Sequence, residues 1–196
     1  GKNQTADHHA DSHLDEDLTL TILPVERRLQ MKNFLFVADP LDHFKVHKDT
    51  TFSMMREAQR RGHRIATCLP QDIWWKSGGP VTATVQQITL TGHERGWYRV
   101  DSTMQKALKD FDAVLMRKDP PFDAEYIYAT HLLEQAEREG GKVVNTPRAL
   151  RDHPEKLAIM EFARFVPPTL VARNADALHA CFVQHADTAR IGGNYD

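Results

Sequence analysis

Cysteine is scarce in this sequence, with only Cys68 and Cys181 among 196 residues. Two cysteines so far apart form neither a disulfide framework nor a zinc-binding pattern, so we expect a protein of the reducing cytoplasm. A basic excess is also lacking: the net charge is −2 and the pI is about 6.6, which argues against nucleic acid as a partner. No apolar run approaches the roughly 20 residues of a membrane-spanning helix. The polar, acidic N-terminus lacks the features of a signal peptide.

Residues 1–30 also lack a pattern that would build a core, and we expect a disordered leader there. A short alternating run at 18–23 resembles a strand, but Pro24 soon follows it. His8, His9, Asp11 and His13 would suit a divalent metal ion. Such a spacing arises easily in a polar tail, so the leader is the favoured interpretation.

The character of the chain changes after Met31. A continuous apolar run at 33–40 closes on Asp39 and predicts a buried first parallel strand. Asp49 or Thr50 then suits the N-cap of a helix at 51–61, with Gly62 at the position after its end. A second strand at 63–69 completes a βαβ unit. The first βα turn lacks the GxGxxG fingerprint of dinucleotide-binding folds.

The next segments predict an antiparallel addition to this sheet. Trp74 and Trp75 would form a ligand platform or, more simply, a short helix packed on the sheet edge. A strand is expected at 80–90, with 97–100 returning as its hairpin partner. A weak helix is expected at 102–108.

The most informative stretch is 114–123, which reads VLMRKDPPFD. Three apolar residues run into Arg117, Lys118 and Asp119, and two prolines then stop regular structure. This is typical of the carboxyl end of a buried parallel strand, where open α/β sheets bind their ligands. The planar guanidinium of Arg117 suits a carboxylate or a phosphate. The equally weighted alternative is an Arg–Asp pair that only caps the strand end.

The remainder predicts a helix from 123 or 124 to 139, a short strand at 142–145 and a connector at 146–150. A further helix is expected from Pro154 to 165, a strand-like run at 169–172, and a helix capped by Asn174. We place a domain boundary near Arg151, which separates residues 31–150 from residues 151–196. The second part is too short to bury a core of its own.

Taken together, several stretches resemble the bacterial glutathione synthetases of the ATP-grasp family. The matching pieces are FVADP (36–40), KDTTFSMMREAQRRGH (48–63), VLMRKDPPFDAEYIYATHLLEQAE (114–137), VVNTPRALRDHPEKL (143–157) and PPTLVARN (167–174). The resemblance covers residues 31–187. It implies an α/β fold with an open, mostly parallel, Rossmann-like sheet and helices on both faces. The start of an ATP-grasp domain would follow at residues 151–196.

The resemblance also implies an activity, the ATP-dependent joining of γ-glutamylcysteine and glycine through an acyl phosphate. ATP and Mg²⁺ would be the cofactors, and full-length members would be cytoplasmic homo-oligomers. This chemistry needs phosphate charges to be neutralised by Lys, Arg and metal, so no nucleophilic side chain is expected.

Only a few site residues carry over from the family. Lys156 matches the lysine that binds ATP phosphate, with a solvated helix lysine as the alternative. The residues expected at the peptide-substrate side lie on two facing segments: Arg117, Lys118 and Asp119 on one, and Asp39, Lys48 and Asp49 across the carboxyl edge of the sheet. A structural rim of ion pairs is the comparable alternative for these six.

The chain departs from the family pattern after Asp187, where it reads TARIGGNYD. The second nucleotide-binding lysine would fall near Ile191, Gly192–Gly193 only weakly resembles the glycine-rich loop, and the magnesium ligands would lie beyond Asp196. We therefore expect an incomplete, inactive fragment of such an enzyme. The alternative is a non-catalytic α/β module whose basic loop at 43–48 helps bind a small anionic peptide or a partner chain. A third expectation is that apolar faces within 154–185 drive self-association.

Overall fold

A central β-sheet organises the part of the chain that the computed structural model describes, residues 30–93, 95–154 and 156–184. Its strands are β1 (Asn33–Val37), β2 (Arg64–Cys68), β3 (Ile73–Trp74), β4 (Thr82–Leu90), β5 (Tyr98–Ala107), β6 (Ala113–Met116) and β7 (Val143–Val144). The α-helices are α1 (Thr50–Arg60), α2 (Ala124–Arg138), α3 (Pro147–Asp152) and α4 (Ala175–Gln184). Short 3₁₀ segments lie at Leu41–His43, Pro70–Asp72, Leu108–Asp110 and Ala158–Phe165.

Four strands form a parallel block in the order β2-β1-β6-β7. Leu35 of β1 is in register with Ala66 of β2 and with Val114 of β6. β4 runs antiparallel to β2 and β3 along one edge and to β5 along the other. Six of the seven described strands therefore run in the same direction, and only β4 runs opposite to them. This confirms the predicted open, mostly parallel sheet.

Both faces of the sheet are covered, which explains why β1 is apolar without alternation. On one face Met55 and Ala58 of α1 share a core with Phe36 and with Ile65 of β2. On the other face Leu133 of α2 shares a core with residues that include Leu35 and Val114. The prediction of helices on both faces is confirmed.

The two long helices begin and end where their capping residues predict. Asp49 Oδ1 accepts the N–H of Phe52, and Asp123 Oδ1 accepts the N–H of Tyr126, each at 2.9 Å. Each bond satisfies a first-turn N–H group that has no partner within the helix. Behind α1, Gly62 has a φ of 78°, a left-handed conformation that glycine adopts without strain.

Several local predictions were wrong. β5 continues to Ala107 through the predicted helix at 102–108, because its pairing with β4 satisfies the backbone along the whole segment. The edge around Trp74 is a 3₁₀ turn followed by β3 rather than a helix, and this side chain is 40% exposed. The expected connector at 146–150 lies largely within α3, where Pro147 occupies a favourable first-turn position. Residues 158–165 form 3₁₀ turns broken at Phe162 rather than one α-helix, and 169–172 is not a strand.

The last described segment, residues 157–183, exposes many large apolar side chains to solvent. They are Leu157, Met160, Phe162, Phe165, Leu170, Val171, Leu178, Phe182 and Val183. The domain boundary near Arg151 and self-association through this segment stay predictions. The expected leader and metal cluster, the run at 18–23 and the divergent segment 188–196 lie outside the described residues.

One charged contact at the amino edge of the sheet gives a pH-dependent prediction. Asp112 accepts the N–H of Asn33 at 2.8 Å and lies 3.0 Å from the Lys32 ammonium. Both interactions hold the pKa of Asp112 below its ordinary value. The charged form therefore stabilises the folded chain at neutral pH, and that contribution disappears as the pH falls through the ordinary value of about 3.9 towards the lower folded one.

We therefore expect parent and Asp112→Asn to differ most in unfolding free energy at neutral pH. The difference should shrink below about pH 4, as measured by urea unfolding across a pH series. In a Lys32→Gln background the pH dependence should be smaller. A difference that grows on acidification would contradict the assignment.

Candidate functional site

The segments that follow the neighbouring strands β1 and β6 run to opposite faces of the sheet. β1 leads into α1, which packs on the Phe36 face, whereas β6 leads into α2, which packs on the Leu35 face. Because β1 and β6 are hydrogen-bonded neighbours, the connections diverge at their carboxyl ends. Such a topological switch point is where open α/β sheets form their ligand-binding crevice.

Arg117 lies at this switch point, immediately after β6. Its backbone N–H donates to the Val37 carbonyl at 2.7 Å, which extends the β1–β6 pairing beyond the strand end. Its guanidinium donates to the side-chain hydroxyls of Thr51, at 3.1 Å from Nε, and Thr50, at 2.8 Å from Nη2. Both threonines lie in the first turn of α1, so Arg117 joins the end of β6 to the start of that helix.

The charge of Arg117 is not neutralised by a carboxylate among the described residues, because its side-chain partners are hydroxyl groups. Its field nevertheless reaches α2. Burial raises the pKa of Tyr126, and the nearby Arg117 charge acts in the opposite direction. A half-buried guanidinium held by neutral partners keeps its attraction for an anion.

Lys118 and Asp119, which follow Arg117, both contact Asp39 across the same crevice. The Lys118 ammonium lies 2.8 Å from Asp39 Oδ1, and the Asp119 N–H donates to Asp39 Oδ2 at 2.8 Å. Lys118 Nζ also donates to the Asp119 carbonyl at 2.7 Å. Asp39 thus holds the segment after β6 against the segment after β1, and the Lys118 charge is already compensated. This part of the rim matches the structural alternative for these residues.

The other three predicted site residues are Asp49, Lys48 and Lys156. Asp49 has a structural role, and the two lysines form neither a hydrogen bond nor an ion pair with the residues described above. Asp49 caps α1, as described above. Lys48 is exposed in the turn before α1, and Lys156 is exposed after Pro154. Within the described ranges neither lysine forms an ion pair with the rim. The ligand-binding roles assigned to all seven residues stay predictions.

Sequence reasoning missed Thr50 and Thr51 as partners of Arg117. Their position after the capping Asp49 was visible, but the distance of 66 residues between Thr51 and Arg117 hid the contact. It also missed a polar cleft of about 300 Å³ beside the rim, whose lining includes Asp39, Thr67 and Tyr98. A larger cleft of about 510 Å³ lies at the β4–β5 hairpin. Its lining includes His47 of the basic loop at 43–48 but none of the seven predicted site residues.

The described residues contain neither a metal-binding cluster nor a membrane-spanning helix. No group of three or more His, Cys, Asp or Glu side chains is placed there to hold a metal ion. None of the described helices has the length and apolar character needed to cross a membrane.

An open, mostly parallel sheet with helices on both faces and a switch point between neighbouring strands defines a domain of the doubly wound α/β class. The family model described as the N-terminal domain of prokaryotic glutathione synthetase matches residues 31–151. The chain belongs to this family, which confirms the resemblance found in the sequence.

Curated relatives agree with this assignment. The chain is 50% identical over 153 residues to a glutathione synthetase of Ralstonia nicotianae, covering 78% of the chain and 47% of the relative. It is 48% identical over 155 residues to one of Nitrosomonas europaea, covering 78% and 48%. A glutathione synthetase of Neisseria meningitidis serogroup A is 45% identical over 157 residues, covering 78% and 49%. The chain thus spans about half the length of the curated relatives it matches.

The cap at α1 separates a structural role of Asp49 from a ligand-binding one. Asp49→Ala should lower the free energy of unfolding by about 1 kcal/mol, because the Phe52 N–H loses its acceptor. Asp49→Ser should retain most of the stability, since a hydroxyl oxygen can accept the same bond. Urea unfolding measures both variants. If Asp49→Ser were stable but lost affinity for a peptide substrate, Asp49 would have a ligand-binding role as well.

Proposed function

We propose that this chain supplies the peptide-substrate side of a glutathione synthetase, the ATP-dependent ligase that joins γ-glutamylcysteine and glycine. The supporting observation is the Arg117 guanidinium at the switch point, fixed by two hydroxyl groups and not neutralised by a described carboxylate. In this proposal Arg117 binds a carboxylate of γ-glutamylcysteine.

The surroundings of Arg117 favour a negatively charged ligand. The first turn of α1 points its N–H groups and the positive end of its dipole towards the same edge of the sheet. Lys118 is held by Asp39, so the two neighbouring cations differ in their freedom to bind. Arg117 is therefore the ligand contact, and the Asp39–Lys118–Asp119 contacts keep the crevice in shape.

The cofactors of the family are ATP and Mg²⁺, and the described residues fit them unequally. Bound ATP would activate the peptide carboxylate by phosphorylation. Lys156 is exposed and suits a phosphate as a compact point charge, so we include it in the proposal. The described side chains do not group into a metal site, so no Mg²⁺ ligand is assigned among them.

The same proposal includes a cytoplasmic location and homo-oligomerisation, as the family implies. Two free cysteines, one of them buried, suit a reducing compartment. Sedimentation of the purified chain measures its oligomeric state.

Replacing Arg117 tests the carboxylate contact. Arg117→Ala should weaken binding of γ-glutamylcysteine about ten- to a hundredfold, the effect of losing a charged hydrogen bond, as measured by isothermal titration calorimetry. Arg117→Lys should have an intermediate affinity, because it keeps the charge but loses the planar fork.

Arg60→Ala is the matched control, because this exposed arginine lies at the other end of α1 and pairs with Glu57. Its affinity should equal that of the parent chain. If Arg117→Ala and Arg60→Ala bound the peptide equally well, the proposed contact would be wrong.

A turnover assay separates substrate binding from catalysis. We expect the 196-residue chain to release no ADP with γ-glutamylcysteine, glycine, ATP and Mg²⁺, because it matches only about half the length of the glutathione synthetases that it resembles. A coupled ADP assay measures this. Peptide binding without turnover would favour the non-catalytic binding module for the isolated chain, whereas clear turnover would refute the expectation of an inactive fragment.

A further inference from the structure

A row of polar side chains crosses the sheet beside the switch point. Thr67 of β2 is in register with Gln86 of β4, which is in register with Thr103 of β5. All three line the polar cleft, together with Thr84. In the next row on the same face, two residues towards the amino end of β2, Ile65 and Ile88 are apolar and buried. The change from apolar to polar therefore coincides with the floor of a cavity.

Thr67 is the most informative member of this row. Its side chain lines the cleft although the residue is only 5% exposed, and its hydroxyl makes no hydrogen bond to any described residue. Burying a hydroxyl without a partner is unfavourable, so the group needs a ligand or water. Among the described residues no fully buried side-chain oxygen lacks a partner, so the Thr67 oxygen keeps some exposure. The cleft that this residue lines is where a ligand or water can meet it.

Three of the residues that line the cleft are carboxylates: Asp39, Asp42 and Asp72. Asp39 is compensated by Lys118. Asp42 accepts the Tyr98 hydroxyl at 2.9 Å and Asp72 accepts the Leu69 N–H at 2.8 Å, but neither pairs with a cation within the described ranges. The pKa of Tyr98 is raised by burial and by Asp42, and that of Cys68 by burial and by Asp72.

We propose that this cleft binds the free ammonium group of an amino-acid-like ligand, with Thr67 as a hydrogen-bond partner and Asp42 and Asp72 as counter-charges. The inference rests on the proposed function, under which the ligand is the glutamyl end of γ-glutamylcysteine. Its α-ammonium enters the cleft while a carboxylate binds Arg117.

Size and geometry favour an ammonium group over a metal ion. The volume of about 300 Å³ is at the small end of ligand pockets and suits an amino-acid head group. The carboxylates are not grouped closely enough to hold a metal. An ammonium group instead donates up to three hydrogen bonds to separate acceptors, which a cleft lined by hydroxyl and carboxylate oxygens provides.

The test compares ligands with free and blocked amines on the full chain. Two-dimensional amide NMR is recorded during titration with γ-glutamylcysteine and with its N-acetyl form. The free amine should shift the amides of Thr67, Leu69 and Thr103, and acetylation should weaken binding at least about tenfold, because a charged hydrogen bond is lost. Asp42→Asn and Thr67→Val should weaken the free-amine peptide and leave the acetylated one unchanged.

Asp110→Asn, in the turn before β6, is the control and should bind both peptides as the parent does. If acetylation had no effect and the cleft amides did not shift, the cleft would hold solvent only and the inference would be wrong. The proposed function would survive that result as long as Arg117→Ala still weakened both peptides.

The ammonium site in the cleft can be tested even if the proposed function is wrong. If γ-glutamylcysteine bound nowhere, the proposed function would fail, and L-glutamine and N-acetyl-L-glutamine would serve as probes. Shifts of the cleft amides with L-glutamine alone would support the ammonium site. No shift with either probe at tens of millimolar would overturn it.

Discussion

The parallel pairing of β1 with β6 is the interaction on which the rest of this structure depends. It places Val37 opposite Met116, so that the N–H of Arg117 reaches the Val37 carbonyl and continues the pairing past the end of β6. Because α1 and α2 then pack on opposite faces, the segments that follow these two strands diverge at the carboxyl ends. The crevice follows from that divergence, and the charged contacts of Asp39 with Lys118 and Asp119 keep its two walls at a fixed spacing.

The elements that sequence reasoning predicted best are those in which local signals agree with burial. β1, β2 and β6 are short apolar runs in a sheet covered on both faces, and α1 and α2 carry an acidic N-cap. The failures come from segments in which tertiary contacts override local preference. β5 is a strand because β4 offers a partner along its whole length, and α3 is held against α2 by contacts of Arg151 with Thr130 and Glu134.

The candidate site shows the same division. The charged residues after β1 and β6 can be recognised in the sequence because they end apolar runs. The structure brings Asp39, Lys118 and Asp119 together, as the sheet topology requires. The roles within the cluster could not be read from sequence. That Lys118 is compensated and Arg117 is not depends on side-chain distances. The polar row through Thr67, Gln86 and Thr103 depends on strand register across 36 positions, which no local pattern encodes.

The outer edge of β5 has a consequence for handling and engineering this chain. Among the described strands none pairs with that edge, and Val100 and Met104 on β5 are each at least 40% exposed. Arg99, Asp101 and Lys106 interrupt this apolar character, and Asp101 sits where the pairing with β4 shifts by one residue. Charges and irregularities of this kind discourage sheets from stacking edge to edge. Neutralising these three side chains should therefore raise the tendency of this edge to pair with a strand of another molecule.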